Sequence, residues 1–501
     1  MKISEIFRLE KTQCELDFID IDLDNEIPLF LDAHIFSRRN DLWSQKCNST
    51  IEDFFRCVNE LIRLDKVDEL LEVCEPLKEP NETCLGYSSG RPQGAFHRPE
   101  NIVRVFKELY HLNEEDSELF DVVKTLSDLK FFIKDVGNDT VSDVITNLIR
   151  YQLIEYTKDQ CDLYNIPTVP LPSYPFWNDI HSRWERIDQI DQLVVGGRKI
   201  LLVPKGVVFF ERFYPFKPQG FAQHDVLNFL KEEELKIPGS PLIQHRVPKK
   251  HEKIGEPFVT KKDLRARYNV DKKDYLLEFC RKYPKIMEEF RKKSDFQSLT
   301  IPQLYESSEI PLETEDYNAV IDAFIHTLNS IPTGKDSAYE YHDCILGILT
   351  FIFYPSLSNP KKETPIDEDS KRIDICFTNT SESGFFRNLK TEIASNYIYV
   401  ECKNYSNDVS NPEYDQLANR FNISSSMVGF LICRSIKNEK SSFRKVSGHY
   451  RRTGALIIPI TDSHIFSMLE LMKIDDLDFV SLYRHEQVLF EIKQKIEVEN
   501  Y

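Results

Sequence analysis

The feature that most constrains the fold is an alternation of helical and extended patterns after Asp336. Apolar residues at helical spacing come first, and short runs of β-branched and aromatic residues follow them. A second helix is expected to begin at Asn411-Pro412, because proline fits the first helical turn. Units that alternate in this way pack as layers, so the sequence predicts an α/β fold for this region. The predicted elements are a helix at Asp336–Tyr354, strands at Lys371–Thr378 and Tyr397–Tyr405, a helix from Asn411 to about Asn422, and strands at Met427–Arg434 and Ala455–Thr461.

The first two thirds of the chain lack this alternation. The prolines of Ile166–Trp177 predict extended chain, and Asp191–Tyr214 is typical of a β-meander with turns at Gly196-Gly197 and Lys205-Gly206. The alternation of apolar and acidic residues over 15–34 predicts one or two short strands. Helical periodicity predicts helices at Ser49–Leu64, Val67–Cys74, Glu100–Leu112, Thr140–Leu163 and within Lys261–Asn329, with a linker at Lys236–Pro257.

These patterns divide the chain into three predicted domains. Residues 1–165 form a mostly helical domain, residues 166–330 combine the β-meander with helices and a basic stretch, and residues 331–501 form the α/β domain. The predicted fold class is multi-domain α+β. A chain of 501 residues is long enough for each of these domains to bury a core of its own.

Composition bounds the compartment and the classes of partner. The eleven cysteines are scattered without a CxxC pair, which argues for a reducing compartment and against a disulfide scaffold or a zinc site. The chain starts without an apolar signal segment and contains no apolar run that could span a bilayer, so we expect a cytoplasmic protein without membrane contact. The net charge of -18 is unusual for a nucleic-acid-binding protein, but Arg246–Lys293 holds sixteen basic against eight acidic residues. That stretch is either a nucleic-acid-facing surface or a set of solvated helix faces.

Two of the predicted strands bring charged side chains to one place. Strand alternation puts Asp374 on one face of the first strand, and it puts Glu401 and Lys403 together on one face of the second. Two converging carboxylates supply the hard oxygen ligands that Mg²⁺ prefers. A neighbouring lysine can orient the attacking water and offset charge that develops on a phosphate.

The flanking helices add further polar groups to this constellation. Glu340 lies at the edge of the apolar stripe of the first helix, where an acid needs a partner such as a metal or Lys403. Gln416 and Arg420 are four residues apart in the second helix, a spacing suited to contacting phosphate or orienting Lys403.

Asp374 followed by Glu401-Cys402-Lys403, with Glu340 upstream and Gln416 downstream, resembles the active-site motif of the PD-(D/E)XK nuclease superfamily. The resemblance covers residues 330 to 465 and implies a restriction-endonuclease-like fold with an αβββαβ core. It further implies that Asp374, Glu401 and the backbone carbonyl of Cys402 bind Mg²⁺, for which Mn²⁺ substitutes. By the same resemblance Lys403 is the catalytic lysine, Glu340 an auxiliary acid that is also a candidate metal ligand, and Gln416 the glutamine of the second core helix.

The chain departs from that motif in three ways. Ile373 replaces a proline, and Arg420 replaces a tyrosine that often follows the glutamine. The separation between Asp374 and Glu401 is long and predicts an inserted hairpin or loop at Ser383–Asn396. A basic group lies between the last two predicted strands: Arg444, Lys445, Arg451 and Arg452, beside His449. Together with Arg420, these four residues are candidates for contacting a phosphate backbone.

The function expected from these features is magnesium-dependent endonucleolytic hydrolysis of phosphodiester bonds, with DNA as the expected substrate. The architecture suggests an antiphage-defence or restriction effector, whose amino-terminal region senses, targets or oligomerises, either with copies of itself or with a partner protein. An alternative is a catalytically inactive nuclease-fold module that binds nucleic acid or a protein partner.

Three weaker signals have simpler explanations. The loop Gly86–Gly90 matches GxSxG, but its surroundings do not favour the strand and helix that a Ser88-dependent hydrolase needs. Because Arg91 and Arg98 lie beside it, the loop remains a candidate for binding an anionic ligand. Gly196-Gly197 is a hairpin turn and not a P-loop. His342 is expected to be a surface or capping residue that points away from Glu340.

Overall fold

The computed structural model describes residues 1–86, 103–108, 123–247, 255–305, 314–362, 375–474 and 483–498. It is a mixed α/β structure in which helices surround a five-stranded mixed sheet in the carboxy-terminal region. Within these described ranges, no helix combines the length and apolarity needed to cross a membrane.

The amino-terminal region is largely helical, as predicted. The prediction of one helix over Thr140–Leu163 is wrong in one respect, because the helix is interrupted at Ile149, the residue that joins two successive helices. Residues 103–108, inside the predicted Glu100–Leu112, are helical, and the rest of that prediction lies outside the described residues. The other α-helices of this region are α1 (Ile3–Ile6), α2 (Ala33–Arg38), α3 (Leu42–Arg63), α4 (Val67–Cys74), α5 (Leu129–Phe132), α6 (Asn138–Leu148) and α7 (Arg150–Tyr164).

Short strands follow α7. They are β1 (Val169–Leu171), β2 (Phe176–Asn178), β3 (Arg183–Glu185), β4 (Ile190–Val195) and β5 (Arg198–Ile200). The hairpin at Gly196-Gly197 is confirmed, whereas Lys205–Val207 is a single helical turn and residues 208–214, the rest of the predicted meander, form no strand. Residues 15–34 contain isolated bridges, such as Phe30 to Phe209, in place of the predicted strands.

A helical segment connects this region to the carboxy-terminal sheet. Within the predicted linker, β6 (Gln244–His245) pairs with β7 (Pro257–Phe258). Aromatic residues of the basic stretch pack on one another, with ring centroids 5.2 Å apart for Phe279, which is buried, and Tyr283, which is half-buried. The helices are α8 (Leu227–Leu235), α9 (Lys261–Tyr268), α10 (Lys273–Lys282), α11 (Pro284–Lys293), α12 (Ile301–Tyr305) and α13 (Thr314–Ser330).

The carboxy-terminal sheet has the strand order β12-β11-β10-β9-β8. Strands β10, β11 and β12 are parallel, and β9 and β8 continue the sheet in antiparallel pairings. The edge strand β8 was not predicted, because its sequence LSNPKK contains a proline and a left-handed Asn359 at a register shift. The strands are β8 (Leu357–Lys362), β9 (Ile375–Asn379), β10 (Tyr397–Lys403), β11 (Val428–Cys433) and β12 (Leu456–Thr461).

Helices cover both sides of this sheet. The insertion between β9 and β10 contains a helix, α15, and not the predicted hairpin or loop. The helix predicted to reach Asn422 ends at Ala418, and its amino-terminal cap is Ser410. The helices are α14 (Ala338–Ile352), α15 (Gly384–Glu392), α16 (Asn411–Ala418), α17 (Glu439–Thr453), α18 (Asp462–Met472) and α19 (Gln487–Val498).

The amino-terminal region packs directly against the sheet. The backbone N–H of Asn359 donates to the buried carboxylate of Asp17 (2.9 Å), and Gln160 of α7 donates to the Pro360 carbonyl (3.1 Å). Buried apolar residues form one cluster that extends from Ile3 to Ile496. The division at residues 165 and 330 stays a prediction, and the first and last of the predicted domains share a core.

Candidate active site on the central strand

Strand β10 is the central strand of the sheet and carries Glu401 and Lys403 near its carboxyl end. Both residues are almost fully buried, with 1% and 3% of their surface exposed. They pair with Leu431 and Cys433 of the parallel strand β11, whose side chains are also buried. Because side chains alternate along a strand, Glu401 and Lys403 share one face, while Val400 occupies the opposite one. The predicted facing of these two residues is confirmed by their direct contact.

A glycine in β11 allows α16 to approach that face closely. A Cβ atom on Gly429 would lie 2.9 Å from Leu417 and 3.0 Å from Phe421, so the absence of a side chain there lets the helix and the turn after it settle on the sheet. The ring of Phe421 lies 6.3 Å from that of Tyr399, which neighbours Glu401 on the same face. The close approach brings Gln416 and Arg420 to the charged pair.

The Glu401 carboxylate is held by two cations. Lys403 Nζ donates to Oε1, and Arg420 Nη1 donates to Oε2 at 3.1 Å. Lys403 Nζ also lies 3.4 Å from the side-chain oxygen of Gln416. A buried charge needs such partners, because removing an ion from water costs several kcal/mol when it is left uncompensated. Gln416 and Arg420 are half-buried, so the cluster reaches from the core toward solvent.

Helix α14 contacts the site near its amino-terminal end, through His342. The side-chain amide of Asn404, directly after Lys403, donates to the carbonyls of Pro332 and Gly334 and thereby fixes the segment before α14 to the end of β10. His342 Nε2 then lies 2.9 Å from the backbone carbonyl of Cys402. Because a carbonyl only accepts hydrogen bonds, Nε2 carries the proton.

The expectations for His342 and Glu340 need correction. His342 is half-buried and directed at the Cys402 carbonyl, so it is not a surface or capping residue. Glu340 is exposed in the first turn of α14, and the argument that burial forces a partner on it does not hold. Among the described residues, it forms no hydrogen bond or ion pair with Glu401 or Lys403.

Asp374 lies outside the described residues, as do Lys371, Arg372 and Ile373. Its chain neighbour Ile375 begins β9 and pairs with Val400, the neighbour of Glu401. No group of three or more His, Cys, Asp and Glu side chains that could hold a metal ion occurs in the part of the chain that the structure describes. The Ser88 loop, Arg91 and Arg98 also lie outside that part.

The predicted basic group occupies the exposed side of α17. The helix begins at an Asn438 cap and ends at Gly454, which adopts a left-handed conformation (φ 73°). Lys445 Nζ lies 5.9 Å from the ring of Tyr414 in α16, the helix that also carries Gln416. The four basic residues are exposed and belong to a helix adjacent to the site: Arg444, Lys445, Arg451 and Arg452.

The sequence predicts that four polar residues lie together, and their contacts confirm it: Glu401, Lys403, Gln416 and Arg420. The contact of His342 with this group was not predicted, although the sequence contains a signal for it. His342 precedes the buried Ile345 by three residues and the buried Leu346 by four, the spacing of one helix face. That face packs on the sheet.

Comparison with known proteins adds one finding. A family described as a domain of unknown function (DUF8370) matches residues 8–214. No curated protein and no solved structure matches the chain. The matched region ends before β8, so it does not include the sheet or the site on β10.

Proposed function

We propose that the carboxy-terminal region is a magnesium-dependent nuclease of the PD-(D/E)XK type and that it hydrolyses phosphodiester bonds in DNA. The observation that carries the proposal is the buried Glu401–Lys403 pair on the central strand of a mixed sheet, with Gln416 beside it. Such a pair is costly to bury and needs a reason beyond stability, since apolar residues of similar size are often at least as stabilising.

The chemistry of the donor set fits magnesium. Mg²⁺ prefers carboxylate, carbonyl and water oxygens, and usually keeps several waters. Glu401 and the Cys402 carbonyl would hold it together with Asp374; the carbonyl keeps a second lone pair beside the hydrogen bond from His342. When bound, the ion would polarise a phosphoryl oxygen and lower the pKa of a coordinated water.

The chain's own residues have separable roles in this proposal. Lys403 has its Nζ next to Glu401, where it orients the attacking water and balances charge on the phosphate. Gln416 restricts the position of that ammonium group. Arg420 positions the Glu401 carboxylate, and its guanidinium group is partly exposed at the border of the site.

The substrate class rests on the basic face of α17. Phosphate contacts need Lys and Arg, and four such residues lie exposed on a helix next to α16 despite the net charge of -18. A further role as an antiphage-defence or restriction effector would place target sensing or oligomerisation in the amino-terminal region.

One observation favours a second candidate, a nuclease-fold module that binds nucleic acid without cutting it. Both carboxylate oxygens of Glu401 already accept hydrogen bonds from cations, so a metal ion has to compete with Arg420 or Lys403. The two candidates differ in whether Mg²⁺ changes the substrate.

Supercoiled plasmid separates them. We expect the wild type to nick or linearise it with Mg²⁺ and not with EDTA, and Asp374→Ala and Lys403→Ala to lose about 100-fold or more in rate. Lys362→Ala, which removes a lysine from β8 of the same sheet, is the matched control and should cleave like the wild type. Intact plasmid with every variant, together with retained binding, would establish the module that only binds.

A further inference from the structure

A second polar site lies in the amino-terminal region. A cavity of about 500 Å³ opens between the loop after α4, the junction of α6 and α7, and the β4–β5 hairpin. Its size falls within the range of small-molecule sites in proteins. All its lining residues lie between Glu75 and Lys199, so it is separate from the residues on β10.

The hairpin turn supplies two of its cations. Gly196 and Gly197 both adopt left-handed conformations (φ 58° and 79°), which a two-residue turn between Val195 and Arg198 requires. The turn therefore puts Arg198 and Lys199 at the start of β5, on the wall of the cavity.

The floor of the cavity holds a buried ion pair between Arg150 and Glu82. Arg150 is 95% buried, and its guanidinium group donates to the Glu82 carboxylate (3.1 and 3.3 Å), to Asn147 Oδ1 (2.8 Å) and to the Pro175 carbonyl (2.5 Å). Because the protein supplies acceptors for four of its five N–H groups, Arg150 shapes the floor and leaves most ligand contacts to other residues.

The walls carry an excess of positive charge: four cations line them together with two acids, Glu75 and Glu79, while the third lining acid, Glu82, pairs with Arg150. Lys78, Arg186, Arg198 and Lys199 line the cavity, and none of them forms an ion pair with a carboxylate among the residues that the structure describes. Arg198 donates only to neutral groups, such as the Leu23 and Asn81 carbonyls. In a chain with a net charge of -18, this excess of cations over acids is a local exception.

Burial lowers the pKa of Lys199 below the ordinary value for lysine. The Glu82 carboxylate opposes this shift, and the charges of Arg150 and Arg186 add to it. A phosphate group between these cations would relieve their mutual repulsion.

An aromatic ring also lines the cavity. Tyr174 lines it and is 47% exposed, and Lys199 Nζ lies 4.1 Å from the ring centre. A phosphate beside Lys199 would therefore lie next to an aromatic surface on which a planar group can stack.

We propose that this cavity binds a nucleoside phosphate, with Arg186, Arg198 and Lys199 contacting the phosphate groups and Tyr174 contacting the base. The proposal does not depend on cleavage at Glu401 and Lys403.

Calorimetric titration of the full chain with ADP, inorganic pyrophosphate and adenosine tests it. EDTA in the buffer suppresses divalent-metal binding elsewhere in the chain. We expect ADP to bind, and Arg186→Gln and Lys199→Gln to weaken it about tenfold or more, as the loss of a charged phosphate contact implies. Arg183→Gln removes an exposed arginine of β3 that does not line the cavity, and should leave affinity unchanged.

The probes distinguish the two parts of the ligand. Adenosine should bind far more weakly than ADP, and Tyr174→Ala should weaken ADP without weakening pyrophosphate. Pyrophosphate that binds as tightly as ADP would overturn the assignment to nucleosides. Failure of both ADP and pyrophosphate to bind at millimolar concentration, or an equal loss in Arg183→Gln and Lys199→Gln, would overturn the site itself.

Discussion

Two buried acid–lysine pairs lie in different regions of this molecule, and their surroundings differ. In the amino-terminal region Lys130 of α5 contacts Asp32, with side chains 2% and 1% exposed. In the carboxy-terminal region Lys403 contacts Glu401, at 3% and 1%. Burial therefore does not distinguish the two pairs.

The amino-terminal pair is closed. Asp32 also accepts hydrogen bonds from Ser127 and from the backbone N–H of His34, which satisfies its oxygens. Lys130 lies 4.7 Å from the ring of Tyr214 and 5.1 Å from that of Phe216, so aromatic rings enclose its charge. Nothing in this arrangement leads to solvent, and it has the character of a structural pair.

The carboxy-terminal pair is bordered by polar groups that are only half-buried. Gln416, Arg420 and His342 surround the end of β10 and link it to the surface. A buried acid–lysine pair alone therefore does not identify a candidate site. The half-buried polar residues between the pair and the surface do.

The largest effect on stability is expected at the closed pair. Asp32→Ala leaves Lys130 as an uncompensated buried charge, and we expect the free energy of unfolding to fall by about 3–5 kcal/mol. Lys403→Met should cost less, because Arg420 still holds Glu401. Urea unfolding of both variants measures the difference, and equal losses would remove the distinction between the pairs.

A third buried acid extends the comparison to an unpaired group. Glu486 accepts hydrogen bonds from the Phe385 N–H (2.6 Å) and Ser356 Oγ (3.1 Å), and burial raises its pKa to about 7. The pKa in the folded protein lies above the ordinary value of 4.5. The contribution of Glu486 to stability is therefore fully present below pH 4.5 and is lost as the pH rises through 7. Glu486→Gln resembles the neutral form, so it should not show this loss. Its free energy of unfolding should rise by about 2–3 kcal/mol relative to that of the wild type as the pH increases from about 5 to about 8.

The measurement for Glu486 is urea unfolding of wild type and variant at several pH values. Parallel curves would mean that this carboxyl group does not titrate in that window. Glu491→Gln, on α19 close to Glu486 in the chain, is a control for removal of an acid from that helix.

A smaller effect is expected at Arg420, the half-buried partner of the Glu401–Lys403 pair. Arg420→Gln removes the contact to Glu401 Oε2 while Lys403 stays in place, and we expect cleavage to slow about tenfold with stability lowered by about 1 kcal/mol. Rates with Mg²⁺ on plasmid, beside those of Arg434→Gln as an arginine outside the site, measure it. A faster Arg420→Gln enzyme would mean that Arg420 obstructs the metal.

The site was largely readable from the sequence because its residues are close together along the chain. Glu401 and Lys403 are two residues apart on a strand, and Gln416 and Arg420 follow in the next helix. Strand and helix periodicity determine their facing. Even with the helix ending at Ala418, Arg420 keeps its contact, because the turn after α16 stays on the sheet.

What could not be read depends on contacts between distant segments. His342 reaches Cys402 only because Asn404 fixes the segment before α14 to β10. Strand β8 forms from a sequence with weak strand preference, and residues of the amino-terminal region, such as Gln160, contact it. The cavity beside the β4–β5 hairpin combines residues from six separate elements and loops, which no local pattern reveals.

Metal binding tests the central claim, a magnesium site at the end of β10, most directly. Titration of the wild type with Mn²⁺, followed by electron paramagnetic resonance, should detect a site that Mg²⁺ competes for. Asp374→Asn and Glu401→Gln should each abolish it, while Glu439→Gln, an acid of α17, should leave it intact. Manganese binding that is unchanged in Asp374→Asn and Glu401→Gln would contradict the account.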